Sequence, residues 1–544
     1  MSNHFYFELI IFSLVVIIGL ELLAKRLGLP PAAAQLIGGA CIAFLPGLPA
    51  VEIDPEFVLL VFLPPLLMDG AYLTAWAEFK RNISGILLLA VGAVIFTTLV
   101  VGYLVHFLVP SLPWSTCFAL GAIVSPPDAI AAKAVLQRVP LPRKVMVLLE
   151  GESMLNDATG LVLYKFSIAS ALTGAFSLTN AVGDFIILGV GGIAVGALIG
   201  YFVIKLFKQL TETYLVIVAS ILPAWICYIA GERVGVSGVI ATVTYGMILG
   251  WHQHESISAS VRRRGTAFWQ VLTFILESLV FILIGLSLRG VIGRISDADQ
   301  IQTEYGYIVA AIVLTVVLTR FVWVFAVDGL AAIGSKVMRG YLLTLNPVKF
   351  NPVKVDSDKF DWRIATIKSW AGMRGVVTLA IALALPSSFP GRDLIFITSF
   401  AVILVTVLVQ GVTIGSLITL LKIDSRVKYD QRFLTEPQSW AKIAAAQYAA
   451  VEKLAYDESG SLLHPRLLEQ YGYRASIANQ HKDQPELPMG AVKNHYDIIL
   501  AAIAAGREEL LHLHRSGELQ DELLHTIEHD LDLQEIAAMR NRGS

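Results

Sequence analysis

Thirteen apolar runs, each near the length a helix needs to cross a bilayer, fix what this chain can fold into. They occupy residues 5–24, 30–48, 56–77, 83–109, 113–136, 145–172, 180–208, 213–231, 234–251, 265–288, 304–332, 361–386 and 392–421, and about 20 apolar residues span the hydrocarbon. The second and ninth are short and interrupted by glycine and proline. Hydrocarbon offers no partner for backbone N–H and C=O groups, so such runs cross it as helices and the expected fold class is all-α. Of 544 residues 56% are hydrophobic and 15% charged, and the mean hydropathy of +0.67 excludes an ordinary soluble domain. The run from Phe5 has no Lys or Arg before it and no small-residue cleavage site after it. It reads as a first span, not a signal peptide. Cys41, Cys117 and Cys227 all lie in apolar runs and read as small core residues, with no disulfide framework or thiolate metal site indicated.

The basic residues test this division independently, because cytoplasmic loops concentrate Lys and Arg. Lys25 and Arg26 follow the first run, Lys80 and Arg81 the third, Arg138, Arg143 and Lys144 the fifth, and Lys205 and Lys208 end the seventh. Arg262, Arg263 and Arg264 follow the ninth, and Lys336, Arg339, Lys349, Lys354 and Lys359 the eleventh. The alternate loops carry only Arg233, Arg289, Arg294 and Arg392. This alternation predicts an N-terminus outside and a C-terminus in the cytoplasm. After Leu421 the chain turns polar and helix-favouring, with apolar residues at helical spacing in 491–513 and 519–539 and a loop expected near 483–488. The expected organisation is a membrane domain over residues 1–421 and a helical cytoplasmic tail over 422–544. His525 and His529, one turn apart in the tail, suit either a metal or pH-sensing role or simple solvation.

Within this apolar background the ionisable residues mark the chemistry, since a charge at bilayer depth persists mainly where it binds an ion, carries a proton or is paired. The sixth run contains EGESMLND, Glu150 to Asp157. At 100° per residue Ser153 and Asp157 share one face, and Glu152 and Asn156 share another. An Asp with a serine oxygen beside it suits a hard monovalent cation. The fifth run is interrupted by Ser125, Pro126, Pro127 and Asp128. Two consecutive prolines free carbonyls that a helix would use, and irregular backbone at that depth must line a cavity or be buried in protein. Asp128 is expected to begin the next half-helix, at its positive dipole end. The twelfth run reads SWAGMRGVV, with Arg374 between Gly372 and Gly375, so unwinding is expected there, with Arg374 neutralising the C-terminal ends of half-helices. The twelfth run lies seven after the fifth, and an odd offset inverts orientation. Two broken helices in inverted repeats about a midplane site describe a secondary transporter.

Arg320, in LTRFVWV, is the expected partner of Glu152. Asp69, in FLPPLLMDGAY, either lines the approach or lies solvated near the membrane edge. Lys165, two turns past Asp157, reads as snorkelling or paired. Glu277 reads as buried, with no partner that the sequence names.

FLPPLL near residue 65, SPPDA at 125–129, GESMLND at 151–157, TRFVWV at 319–324 and GMRG at 372–375 resemble, in order, the motifs of the electroneutral sodium/proton antiporters. That family includes bacterial monovalent cation:proton antiporters and the animal sodium/proton exchangers. The resemblance implies that Asp157 binds the cation and the proton, with Asn156 beside it, and that Asp128 and Ser153 complete the site. It implies a structural ion pair between Glu152 and Arg320, thirteen helices, a homodimer, and a core part that moves by an elevator-like shift in a bacterial inner membrane. Relatives usually carry Thr where this chain has Pro127, so only a backbone carbonyl is left there to bind the ion. The function expected is exchange of Na⁺, or Li⁺ or K⁺, for H⁺, one for one, with no cofactor, no nucleic-acid partner and no enzymatic activity. The rivals are a K⁺-preferring antiporter, a cation channel with Asp128 and Asp157 as a charge ring, and, last, an intramembrane enzyme, for which no nucleophile or metal motif is present.

Overall fold

A computed structural model describes residues 3–45, 55–128, 141–173, 178–296, 301–345, 360–386, 389–423, 434, 436–456, 461–483, 489–516, 519 and 521–543. Among these the regular structure is helical, with no strand. The chain divides into two compact units, Met1–Ser425 and Arg426–Ser544.

The first unit holds α1 (Asn3–Leu27), α2 (Pro31–Ala43), α3 (Pro55–Leu73), the short α4 (Trp76–Arg81), α5 (Ile83–Leu108) and α6 (Trp114–Val124). Then come α7 (Arg143–Thr173), α8 (Leu178–Phe207), α9 (Thr213–Val234), α10 (Gly238–Ser256), α11 (Ala259–Ser296) and α12 (Ile301–Leu345). The unit closes with α13 (Trp362–Trp370), α14 (Val376–Leu383) and α15 (Arg392–Leu420). Among the described residues six helices are long and apolar enough to cross a membrane, namely α5, α9 and α15 entire and the stretches Gly183–Phe207, Ala259–Gly290 and Gly306–Ile333 of α8, α11 and α12. Three shorter apolar stretches are α2, Leu60–Leu73 of α3, and α6.

Local chemistry explains the boundaries. Pro31 opens α2, where a missing N–H costs nothing. Gly235 ends α9 in the left-handed conformation, φ 79°, which a residue with a Cβ adopts only at a cost. The Ser237 hydroxyl caps α10 by accepting from the Ile240 N–H at 3.2 Å, and the Asp361 carboxylate caps α13 by accepting from Arg363 N–H at 2.9 Å. In place of a third helix running to residue 77, α3 stops at Leu73 and the basic residues Lys80 and Arg81 fall in the separate α4. Its N-cap, Ala75, is extended, and that bend redirects the chain.

Small residues let the helices approach, as expected where lipid tails remove the hydrophobic drive for helices to associate. On α2, Gly39 lies against the Ile282 carbonyl of α11, and Gly285 of α11 lies against the backbone of Leu36, Gly39 and Ala40. The Gln35 amide completes this crossing by donating to Ser278 Oγ at 2.7 Å, fully buried. The opposite kind of surface occurs on α8, where Ile186, Ile187, Val190 and Ile193 are more than half exposed and suit contact with hydrocarbon.

The second unit holds α16 (Glu436–Leu454), α17 (Pro465–Asp483), α18 (Met489–Arg515) and α19 (Asp521–Gly543). Arg507 of α18 reaches Asp532 at 2.9 Å and Glu535, both of α19. The loop read near 483–488 begins at the end of α17, and residues 484–488 lie outside the described residues. So do the side chains of His525 and His529.

Candidate ion-binding site

Two breaks in helical structure meet beside α7. The first follows α6. Pro126 and Pro127 have no N–H to donate, so the helix stops at Val124 and the chain continues without helical structure to Asp128. Residues 129–140, where a half-helix was expected after Asp128, lie outside the described residues. The second break separates α13 from α14 and runs from Ala371 to Gly375. The breaks touch directly, the Asp128 N–H donating to the Met373 carbonyl at 2.6 Å. A methyl group on Gly375 would overlap the Asp128 carboxylate, so glycine is what allows the crossing to close.

Arg374 sits at the crossing, 1% exposed. Its Nε donates to the Val124 carbonyl at 3.0 Å, Nη2 to the Ser125 carbonyl at 3.4 Å, and Nη1 to the Gly372 carbonyl. These carbonyls belong to the C-terminal ends of α6 and α13, where helical partners run out and the dipole is negative. The Arg374 N–H is taken by the Thr406 hydroxyl at 3.1 Å. Thr406 opens a π-turn, Thr406–Gln410, within α15. A π-turn moves side chains off their helical register and is frequent at functional sites.

From α7, the Asn156 amide donates to the Pro127 carbonyl, and Gly160 one turn later leaves room for the Pro126 ring. Asp157 is buried next to Asn156 and close enough to Asp128 for their charges to interact. Among the described residues no hydrogen bond or ion pair satisfies Asp157. Ser153, one turn before it, is half-buried. A second face of α7 carries Glu152, which holds Arg320 of α12 in a two-pronged pair, Nη1 to Oε1 at 2.6 Å and Nη2 to Oε2 at 2.9 Å. Both residues are at most 3% exposed. The third guanidinium nitrogen, Nε, donates to the Lys368 carbonyl at 3.2 Å, and Gly372 lies against the same guanidinium with no space for a side chain.

The remaining ionisable residues are spread more widely. Asp69 is half-buried in the last turn of α3, near Tyr72, whose hydroxyl donates to Gln253 Oε1 at 2.5 Å. Lys165 pairs with Glu232 of α9 at 3.0 Å. Glu277 is half-buried on α11, not fully buried. Reading the sequence missed two features of the site. One is Thr406, because a hydroxyl in an apolar run carries no signal of its own. The other is Lys368, buried in α13 and paired with Asp328 of α12 at 2.5 Å; a Lys only six residues before Arg374 was the available clue.

Comparison with known proteins identifies the family of the chain. The profile of the transmembrane sodium/hydrogen exchangers matches residues 10–420. A sodium, potassium, lithium and rubidium/H⁺ antiporter of Bacillus pumilus is 32% identical over 400 residues, covering 71% of this chain and only 57% of that protein. The uncharacterized Na⁺/H⁺ exchanger YjcE of Escherichia coli is 29% identical over 97% of this chain and 98% of its own length. The fold resembles the sodium proton antiporter MjNhaP1 of Methanocaldococcus jannaschii, with a TM-score of 0.60 over 78% of this chain and all of that one, at 21% identity.

Proposed function

The chain belongs to the sodium/hydrogen exchanger family, and from that premise we propose that it exchanges a monovalent cation for a proton at Asp157, one for one, by alternating access. The observation that carries this reading is the crossing of the two breaks against α7, where the Pro127 carbonyl meets Asn156 and Asp128 comes within electrostatic reach of a buried Asp157 that has no cation of its own among the described residues. Charge supports the stoichiometry. The Glu152–Arg320 pair is internally neutral and Arg374 is occupied by backbone carbonyls, so in this reading the charge of Asp157 is what one Na⁺ or one H⁺ neutralises. An uncompensated carboxylate is too costly to carry through hydrocarbon, so the site crosses only when loaded.

In this reading Asp128, Ser153, Asn156 and the Pro127 carbonyl assist Asp157, and Asp69 lines the approach. Residues 1–421 form a transporter of thirteen spans in inverted repeats, a homodimer in a bacterial inner membrane with its N-terminus outside. Residues 422–544 form its cytoplasmic tail. The breadth of cations in the name of the Bacillus pumilus relative extends the proposal to Li⁺ and K⁺. Purified protein in proteoliposomes, given an outward proton gradient and each cation in turn, should accumulate Na⁺ whether or not the membrane voltage is clamped. Single-channel currents would instead establish a channel, and accumulation of K⁺ alone would establish a K⁺ antiporter.

A further inference from the structure

Lys368 is a buried cation to which the exchange reaction assigns no task. Its ammonium meets Asp328 of α12 at 2.5 Å, the two side chains being 7% and 27% exposed. Its carbonyl accepts from Arg320 Nε, on the same α12. Arg320 and Asp328 are eight residues apart, about 12 Å along the helix at 1.5 Å per residue. The half-helix α13 is therefore held to α12 at Lys368 twice, through main chain and side chain, on points well separated along the partner.

A nine-residue helix has little stability of its own, since isolated helices shorter than about 12–15 residues are marginal in water. Its register must come from what grips it. The break begins at Ala371, three residues after Lys368. Gly372 then supplies a carbonyl to Arg374, and Met373 supplies one to the Asp128 N–H. Along the other direction the same contacts lead through Arg320 to Glu152, five residues before Asp157 on α7.

We propose that Asp328 and Lys368 form a positioning pair that sets the register of α13 on α12, and through it the placement of the Gly372 and Met373 carbonyls, thereby setting the cation affinity of the site without touching the ion. This rests on reading the crossing as the transport site.

The test uses the full chain in proteoliposomes with Na⁺ as the probe. Lys368→Met and Asp328→Asn should each raise the apparent KM for Na⁺ about tenfold, the scale of residues that orient ligands of an ion, with a smaller change in maximal rate. Lys368→Arg should restore the affinity, because it keeps the pairing charge. A KM unchanged in both variants, with only thermal stability lowered, would reduce the pair to scaffold and overturn the proposal. Should Lys368→Met fail to fold, Asp328→Asn at the more exposed partner decides the question. Amide hydrogen exchange over 371–376 reads positioning without reference to transport and should quicken in both variants. If the unaltered protein carries no Na⁺, the functional reading fails, and unchanged protection of 371–376 would then independently sink the positioning role.

Discussion

Asp157 and Glu152 lie five residues apart on one helix and experience opposite surroundings: Glu152 has both carboxylate oxygens on a guanidinium, whereas Asp157 has Asp128 nearby and no cation among the described residues. The two should respond differently to loss of charge. Asp157→Asn is nearly isosteric but holds neither a proton exchangeably nor the countercharge for Na⁺, so it should abolish exchange and leave a folded protein. Substantial Na⁺ uptake driven by a pH gradient in that variant would refute the assignment. Glu152→Gln leaves a buried guanidinium uncompensated, and breaking such a pair costs about 3–5 kcal/mol. Thermal unfolding in detergent should reveal that loss, and the double change with Arg320→Met should recover part of it. Strictly additive losses in the double-mutant cycle would mean that the two side chains are not energetically coupled. At this scale much was legible: a Glu and an Arg placed deep in separate apolar runs can escape desolvation by meeting. Lys368 and Asp328 form a pair of the same kind, but Asp328 stands nearer the end of an apolar run, where a solvated carboxylate is ordinary.

The broken elements depend on residues that occupy little space. Gly375 faces the Asp128 carboxylate and Gly372 faces the Arg320 guanidinium, so a methyl group at either must push a charged side chain out of place. Gly375→Ala should weaken Na⁺ affinity by about tenfold or more, as for lost ligand orientation, while Gly70→Ala, where nothing lies near the added methyl, should leave exchange unchanged. Equal Na⁺ affinities in the two variants would show that the crossing tolerates the shift. Proline and glycine announced both breaks in the sequence, because their effects on a helix are local. The touching of those breaks, through Asp128 and Met373, depends on packing between segments some 245 residues apart and has no local signature. The π-turn at Thr406 and the bend that ends α3 before α4 were equally illegible, since each interrupts a continuous apolar pattern.

At the scale of the whole molecule, the proposed competition between Na⁺ and H⁺ for one carboxylate predicts a pH response without any separate sensor. As pH falls, protons should occupy Asp157 and the apparent affinity for Na⁺ should weaken. As pH rises, Na⁺ binds freely, but the return of the site into a Na⁺-free compartment needs a proton that is now scarce. The rate of radioactive Na⁺ uptake into Na⁺-free vesicles, with equal pH on both sides, should therefore rise and then fall across a pH series, a bell produced by one group acting in two half-cycles. The tail forms its own compact unit from Arg426 onward, with α18 and α19 joined through Arg507, Asp532 and Glu535. Ending the chain near residue 425 should thus leave the membrane unit intact and the bell in place, although its maximum shifts if the tail histidines regulate. Loss of the bell on truncation would transfer the pH response to the tail. A rate rising monotonically with pH in both forms, or a Na⁺ affinity indifferent to pH, would exclude single-site competition altogether.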